Sequence, residues 1–143
     1  MLSIKIVTPI AALVAFSLYS DGQKAQPAPA KGWTANLAKA LKDAKKSHKL
    51  VMVDFNATWC GPCRMYQTEV FPTASFKRET KNVVLVTVDV DAQRELALKY
   101  KVSSIPDIRF LSPNGKEVGR LIGYGGEQRL IGELAKARRA AKL

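Results

Sequence analysis

The sequence predicts an α/β domain with a central mixed sheet of about four strands and helices on both faces. Three observations carry this. Apolar patterns alternate along the chain as helix, strand, helix, strand, helix, strand, strand, helix, with no internal repeat. The run Val83-Val84-Leu85-Val86-Thr87-Val88-Asp89-Val90 is so rich in valine that it implies burial on both faces, as in a central parallel strand. Ser112-Pro113-Asn114-Gly115, with proline at its second position, is a turn signal between two strand-like runs, so the last two strands form an antiparallel hairpin.

The chain opens with Lys5 near its start and an apolar stretch from Ile6 to Leu18 broken by Thr8 and Pro9, followed by polar Ser20-Asp21-Gly22-Gln23. Residues 1–22 read as an export signal, because about 13 residues suit a signal-peptide core and a membrane span needs about 20. Ala15-Phe16-Ser17 offers small residues at a cleavage spacing, and Ser20 marks a second possible site. The alternative is an uncleaved anchor, against which the short length and Pro9 count. No cysteine follows the apolar core, so lipid attachment is not indicated. Residues 23–32, with Gln26-Pro27-Ala28-Pro29-Ala30, form a Pro/Ala-rich spacer expected to stay extended without packing. The folded domain then spans residues 33–143.

Within it, Leu37, Ala40, Leu41 and Ala44 recur at helical spacing, with Thr34 the expected cap. Leu50 to Ala57 is a short apolar, β-branched run that reads as a buried strand. Gly61-Pro62 opens a helix towards Phe71, since proline is tolerated in a first turn, and Pro72 ends it. A further helical turn covers Ala74 to Thr80. The valine-rich strand follows, then a helix from Ala92 to Tyr100 carrying Leu96 and Ala97. Strands at Asp107 to Leu111 and Lys116 to Ile122 lead to a last helix, Glu127 to Ala140, with Leu130, Ile131 and Leu134 on one side.

The 143 residues are 47% hydrophobic and 24% charged, ordinary for a globular protein, and two cysteines cannot form a disulfide scaffold. The formal charge is +11. Its lysines and arginines are spread along helical stretches, such as Lys39, Lys42, Lys45 and Lys46 or Lys136, Arg138 and Arg139. Solvated helix faces are therefore favoured over nucleic-acid binding, with steering of an acidic partner or loose membrane attachment as alternatives.

Both cysteines lie in Trp59-Cys60-Gly61-Pro62-Cys63, where the buried strand hands over to a helix. A thiol attacks as thiolate, and a free cysteine is mostly protonated at neutral pH. Cys60, at the helix N-terminus, meets unpaired N–H groups that favour the anion. Cys63 lies about one turn further, on the same side, where it can attack a mixed disulfide formed at Cys60. Cys60 is thus read as nucleophile and Cys63 as resolving thiol. Zinc needs about four ligands and His48 is the only other good candidate. A purely structural disulfide would close a loop too small to add much stability. Redox chemistry is the favoured reading, with no cofactor beyond a reversible Cys60–Cys63 disulfide and no metal.

Asp54 is an acid inside an apolar strand, on the opposite face from Val53 and Phe55 by alternation. It is either turned to solvent or kept for a purpose; buried, its pKa would rise and it could exchange a proton with Cys63. Ile105-Pro106 breaks the chain just before a strand, where a cis bond is one option.

Together these features resemble the thioredoxin family. Val53-Asp54-Phe55, Ala57, Trp59-Cys60-Gly61-Pro62-Cys63-Arg64-Met65, Lys99-Tyr100 through Val102 to Ile105-Pro106, Asn114-Gly115 and Gly123 follow the family's order and spacing over residues 33 to 143. The resemblance implies a thioredoxin fold with Pro106 in cis beside the cysteines. It also implies that Ile105 pairs its backbone with an extended substrate, and that Trp59, Gly61, Pro62, Ile122 and Gly123 border the docking groove. For Trp59 and Ile122 the alternative is plain core packing. Four positions depart from the family pattern. Asn56 stands for the usual tryptophan, Thr68 for the usual helix proline, Thr87 for the usual lysine near the buried acid, and Asp107 for a common threonine. These departures, with the Glu69-Val70-Phe71 segment and the lack of an initial strand, lean towards exported thioredoxin-like domains such as the C-terminal domain of DsbD.

The function expected is an exported, periplasmic thiol–disulfide oxidoreductase that reduces protein disulfides and draws electrons from a membrane or envelope donor. Gly61-Pro62 resembles the reducing members of the family. A thioredoxin-fold binding module or chaperone is the first alternative, and a disulfide oxidase or isomerase the second.

Overall fold

The computed structural model describes residues 28–143. The expected export signal and residues 23–27 of the spacer lie outside the described residues.

The sheet has five strands in the order β1-β3-β2-β4-β5: β1 (Trp33–Thr34), β2 (Leu50–Asn56), β3 (Val83–Asp89), β4 (Asp107–Leu111) and β5 (Glu117–Ile122). The expected count is about four; β1 is the addition. Its two residues pair in parallel with Leu85 and Val86, too short a run to leave a strand pattern in the sequence. β3 runs parallel to β2, while β4 is antiparallel to both β2 and β5, so the sheet is mixed and the hairpin forms as expected.

The centre of the sheet differs from expectation. β2 is the central strand and is buried at every position, whereas β3 leaves Val84, Leu85 and Thr87 half-buried. The physical reason lies in the faces of β3 and not its edge, since Leu85 is half-buried although it pairs with Trp33 of β1, while Val83 and Val88 are buried without a β1 partner. Valine density reports β-propensity as well as burial, and here it overstates the second.

Residues alternate along β2 between two cores. Val51, Val53 and Phe55 face α1 (Leu37–Ser47) through Leu37, Ala40 and Ala44. Leu50 and Met52 face the other way, against Phe76 of α3 (Ala74–Glu79) and Leu130, Leu134 and Ala137 of α5 (Gly126–Ala141). Helices therefore cover both faces. α5 comes close enough to β5 that a Cβ at Gly119 would lie 3.2 Å from Phe110 Cδ2 and 3.3 Å from Ala137 Cβ, which explains a small residue there.

α1 is capped by Asn36, whose side chain accepts from Lys39 N at 2.9 Å, and not by Thr34. Thr34 is drawn into β1, and its hydroxyl accepts from Asn36 N instead. The helix after the cysteines forms as α2 (Gly61–Met65) and continues as a π-helical turn, Tyr66–Val70. Phe71 N closes that turn onto Tyr66 O at 2.9 Å. Thr68 sits in it, its hydroxyl bonded to Arg64 O at 2.9 Å. α4 (Arg94–Lys99) leads through Tyr100 into the loop before β4. The spacer also departs from expectation: residues 28–31 are exposed, yet they line a cavity against the domain, tied by Trp33 N donating to Ala30 O at 2.9 Å.

Candidate active site

The end of β2 delivers the chain into the turn that carries the cysteines. Cys60 is the N-cap of α2 and Pro62 lies in its first turn, where the missing N–H leaves no bond unmade. Cys60 and Cys63 are joined by a disulfide of 2.04 Å, and Cys63 N donates to Cys60 Sγ at 3.2 Å. Both are buried, at 3% and 1% exposure, in a small cluster with Ala57, against which Ile105 and Val90 pack.

Ile105-Pro106 is a cis peptide bond. Gly123 N donates to Pro106 O at 2.8 Å, which ties the loop after β5 to the proline. Gly123 adopts φ +78°, a conformation that favours glycine, in open space. Tyr66 secures the same loop from the helix side, its hydroxyl donating to Gly123 O at 3.3 Å and accepting from Gly125 N at 2.9 Å. Cys60, Cys63, Ile105, Pro106 and Gly123 are thus brought into one site.

Trp59 is 66% exposed and Ile122 42%, so neither is core packing. Trp59 is anchored by its indole Nε1, which donates to Asp91 Oδ2 at 2.8 Å. Sequence reasoning misses Asp91, because an acid in a loop thirty-odd residues downstream carries no local signal. Between the cysteines Pro62 is exposed and Gly61 half-buried.

Asp54 resolves to the buried option. It is 2% exposed, and burial pushes its carboxyl up to about 7, with Asn56's hydrogen bond pulling down and the charge of Asp107 adding to the rise. Asn56 Nδ2 donates to Asp54 Oδ2 at 3.0 Å and to Thr87 Oγ1 at 2.8 Å. Asp54 Oδ1 has no hydrogen-bond partner among the described residues.

Asp107, next to the cis proline, is fully buried between two arginines. Arg109 Nε and Nη2 donate to it at 2.9 and 2.8 Å, and Arg120 Nε and Nη2 at 3.0 and 2.8 Å. Desolvation pushes its carboxyl up, but the two forked hydrogen bonds outweigh that and hold it below the ordinary carboxylate value. Arg109 also donates to Tyr100 O at 2.8 Å and lies over the rings of Phe55 and Tyr100. In the sequence this network is legible only as an unusual residue at position 107.

A disulfide capping a helix, beside a cis proline on a mixed sheet, defines a thiol–disulfide oxidoreductase of the thioredoxin fold. The chain belongs to the thioredoxin family, whose profile, described as Thioredoxin, matches residues 30–136. It is 40% identical over 95 residues to a thioredoxin of Mycolicibacterium smegmatis, covering 66% of this chain and 84% of that one. It is 41% identical over 86 residues to thioredoxin-2 of Pyricularia oryzae, covering 60% of this chain but spanning only about half of that relative, 48%. Among solved structures, the solution structure of a thioredoxin from Thermus thermophilus superposes with a TM-score of 0.68 at 29% identity, covering 76% of this chain and 88% of that one. The DsbH oxidoreductase superposes with a TM-score of 0.64 at 26% identity, covering 86% and 94%.

Proposed function

We propose that this protein is an exported reductase of protein disulfides, working in a bacterial periplasm by dithiol exchange through Cys60 and Cys63. The observation that carries the dithiol chemistry is the Cys60 cap: its sulfur receives the Cys63 N–H at the start of α2, a setting that stabilises a thiolate. In the reduced protein the Cys60 thiolate attacks a substrate disulfide, forming a mixed disulfide and expelling one substrate thiolate. Cys63 gives its proton to the Asp54 carboxylate and attacks Cys60 Sγ. The mixed disulfide breaks, the second substrate thiolate leaves, and the two cysteines are oxidised by two electrons as the substrate gains them. Both substrate thiolates take up protons from water.

Ile105 offers its backbone to an extended substrate, and Trp59, Gly61, Pro62, Ile122 and Gly123 border the groove that holds it. The redox group is the protein's own disulfide. A membrane or envelope donor restores the dithiol, and disulfide-containing proteins are the substrates. The apolar run at residues 6–18 supports export.

The exposed apolar surface of Trp59 and Ile122 also suits a binding module or chaperone. Cys60→Ser separates the two. Reduction of insulin disulfides with dithiothreitol as electron source should fall to the uncatalysed rate in this variant. A variant that kept full biological activity would overturn the enzymatic reading.

A further inference from the structure

Asp54 is enclosed by protein, yet only one of its carboxylate oxygens is held. Asn56 Nδ2 donates to Oδ2, and Oδ1 has no partner among the described residues. Asn56 is itself fixed, because the same amide nitrogen donates to the Asp54 carbonyl at 3.0 Å and to Thr87 Oγ1 at 2.8 Å. Thr87 lies directly across from Asp54 in the β2–β3 register, so the strand pairing sets this triangle. Asn56 is only 7% exposed and has little room to turn.

Asp54, Asn56 and Thr87 form part of the wall of a cavity of about 490 Å³ that also touches Gln67, Lys77 and Asp89. That volume admits several waters, and the polar groups set among its apolar lining of Trp33, Phe71 and Pro72 give them partners.

We propose that Asn56, aimed by Thr87, is a positioning residue for proton transfer: it holds Oδ2 of Asp54 and leaves the buried Oδ1 to take the Cys63 proton. The inference rests on Asp54 as the base in the reading above. The balance is that Cys63 loses a proton as its sulfur bonds to Cys60 Sγ. Asp54 carries that proton as a neutral acid and releases it to water, so the base is restored after each turnover. Charged and titratable groups act on Asp54 from each side. Asp107 comes from β4 with Arg109 and Arg120 on it, and Tyr66 from the π-helical turn, itself influenced by Arg129 of α5. Asp89 of β3 and Lys77 of α3 line the cavity.

The test uses the full chain with Asn56→Leu, Thr87→Val and Asp54→Asn, reading insulin reduction against pH and the Asp54 carboxyl by ¹³C NMR titration. Asn56→Leu removes the donor that favours the charged carboxylate, so both the carboxyl titration and the pH–rate inflection should move up by about one pH unit. Turnover at pH 7 should then fall several-fold, while the alkylation rate of Cys60 stays as in the parent. Thr87→Val should move both in the same direction by less, and it carries the test if Asn56→Leu does not fold. If Asp54→Asn keeps the parental pH dependence, Asp54 is not the base and the reading beneath the inference fails. If Asp54→Asn abolishes the inflection but Asn56→Leu and Thr87→Val leave the Asp54 titration in place, the positioning role alone is overturned.

Discussion

A carboxyl buried to 2% exposure in a strand penalises the native state whenever it ionises. For Asp54 the ordinary value is 3.8 and the native value about 7, so between these two pH values the native state binds a proton that the unfolded chain has lost. Stability falls as pH rises across this window and levels off above it. Asp54→Asn keeps the shape without the charge, and should raise the unfolding free energy at pH 8 by a few kcal/mol, on the order of 1.4 for each pH unit that separates the native from the ordinary value. At pH 3.5 the difference should vanish; urea unfolding at the two pH values checks it. An equal gain at both would mean that the charge is not the cause. Asp54 is legible in the sequence as an acid out of place. Its partner is not, since Asn56 departs from the family pattern without local indication of the Asp54 and Thr87 groups it bonds.

At the scale of elements, β4 and β5 are joined by a second acid with the opposite behaviour. Asp107 is fully buried and its carboxyl is held low by Arg109 and Arg120, so its contribution is complete above the ordinary carboxylate range and lost as pH falls through the native value. Asp107→Ala leaves two arginines without their shared anion, Arg109 almost wholly buried. The expected loss is about 3 to 5 kcal/mol at neutral pH, measured by denaturant unfolding. A loss below about 1 kcal/mol would show that the network is replaceable. The π-helical turn and the loop after β5 are coupled through Tyr66, whose hydroxyl makes two hydrogen bonds to that loop. Tyr66→Phe should therefore destabilise by about 1 to 2 kcal/mol, read as a lower thermal midpoint. Helices and long strands are legible because their period spans many residues. β1, the Asn36 cap and the Asp107 network are not, because they depend on what the folded chain places alongside.

For the molecule as a whole, the fold follows from a central strand with apolar residues on both faces, whereas the direction of electron flow depends on a few atoms at the start of α2. Each group that stabilises the Cys60 thiolate stabilises the dithiol over the disulfide and makes the couple more oxidising. Here the sulfur receives the Cys63 N–H, and neither residue between the cysteines, Gly61 or Pro62, supplies a cation or side-chain donor. The couple should accordingly lie near the reducing end of this fold's range, about −270 mV, and far from the roughly −120 mV of a dedicated oxidase. Equilibration with glutathione buffers, followed by alkylation and mass measurement, gives the value. Pro62→His, at an exposed position, should move it towards the oxidising end by adding a donor beside the thiolate. A parent value near −120 mV would reverse the proposed direction of catalysis. A value near −270 mV would make the dithiol a strong reductant, and in the proposed periplasmic setting, which is oxidising, it would persist only if a donor renewed it faster than its substrates consume it.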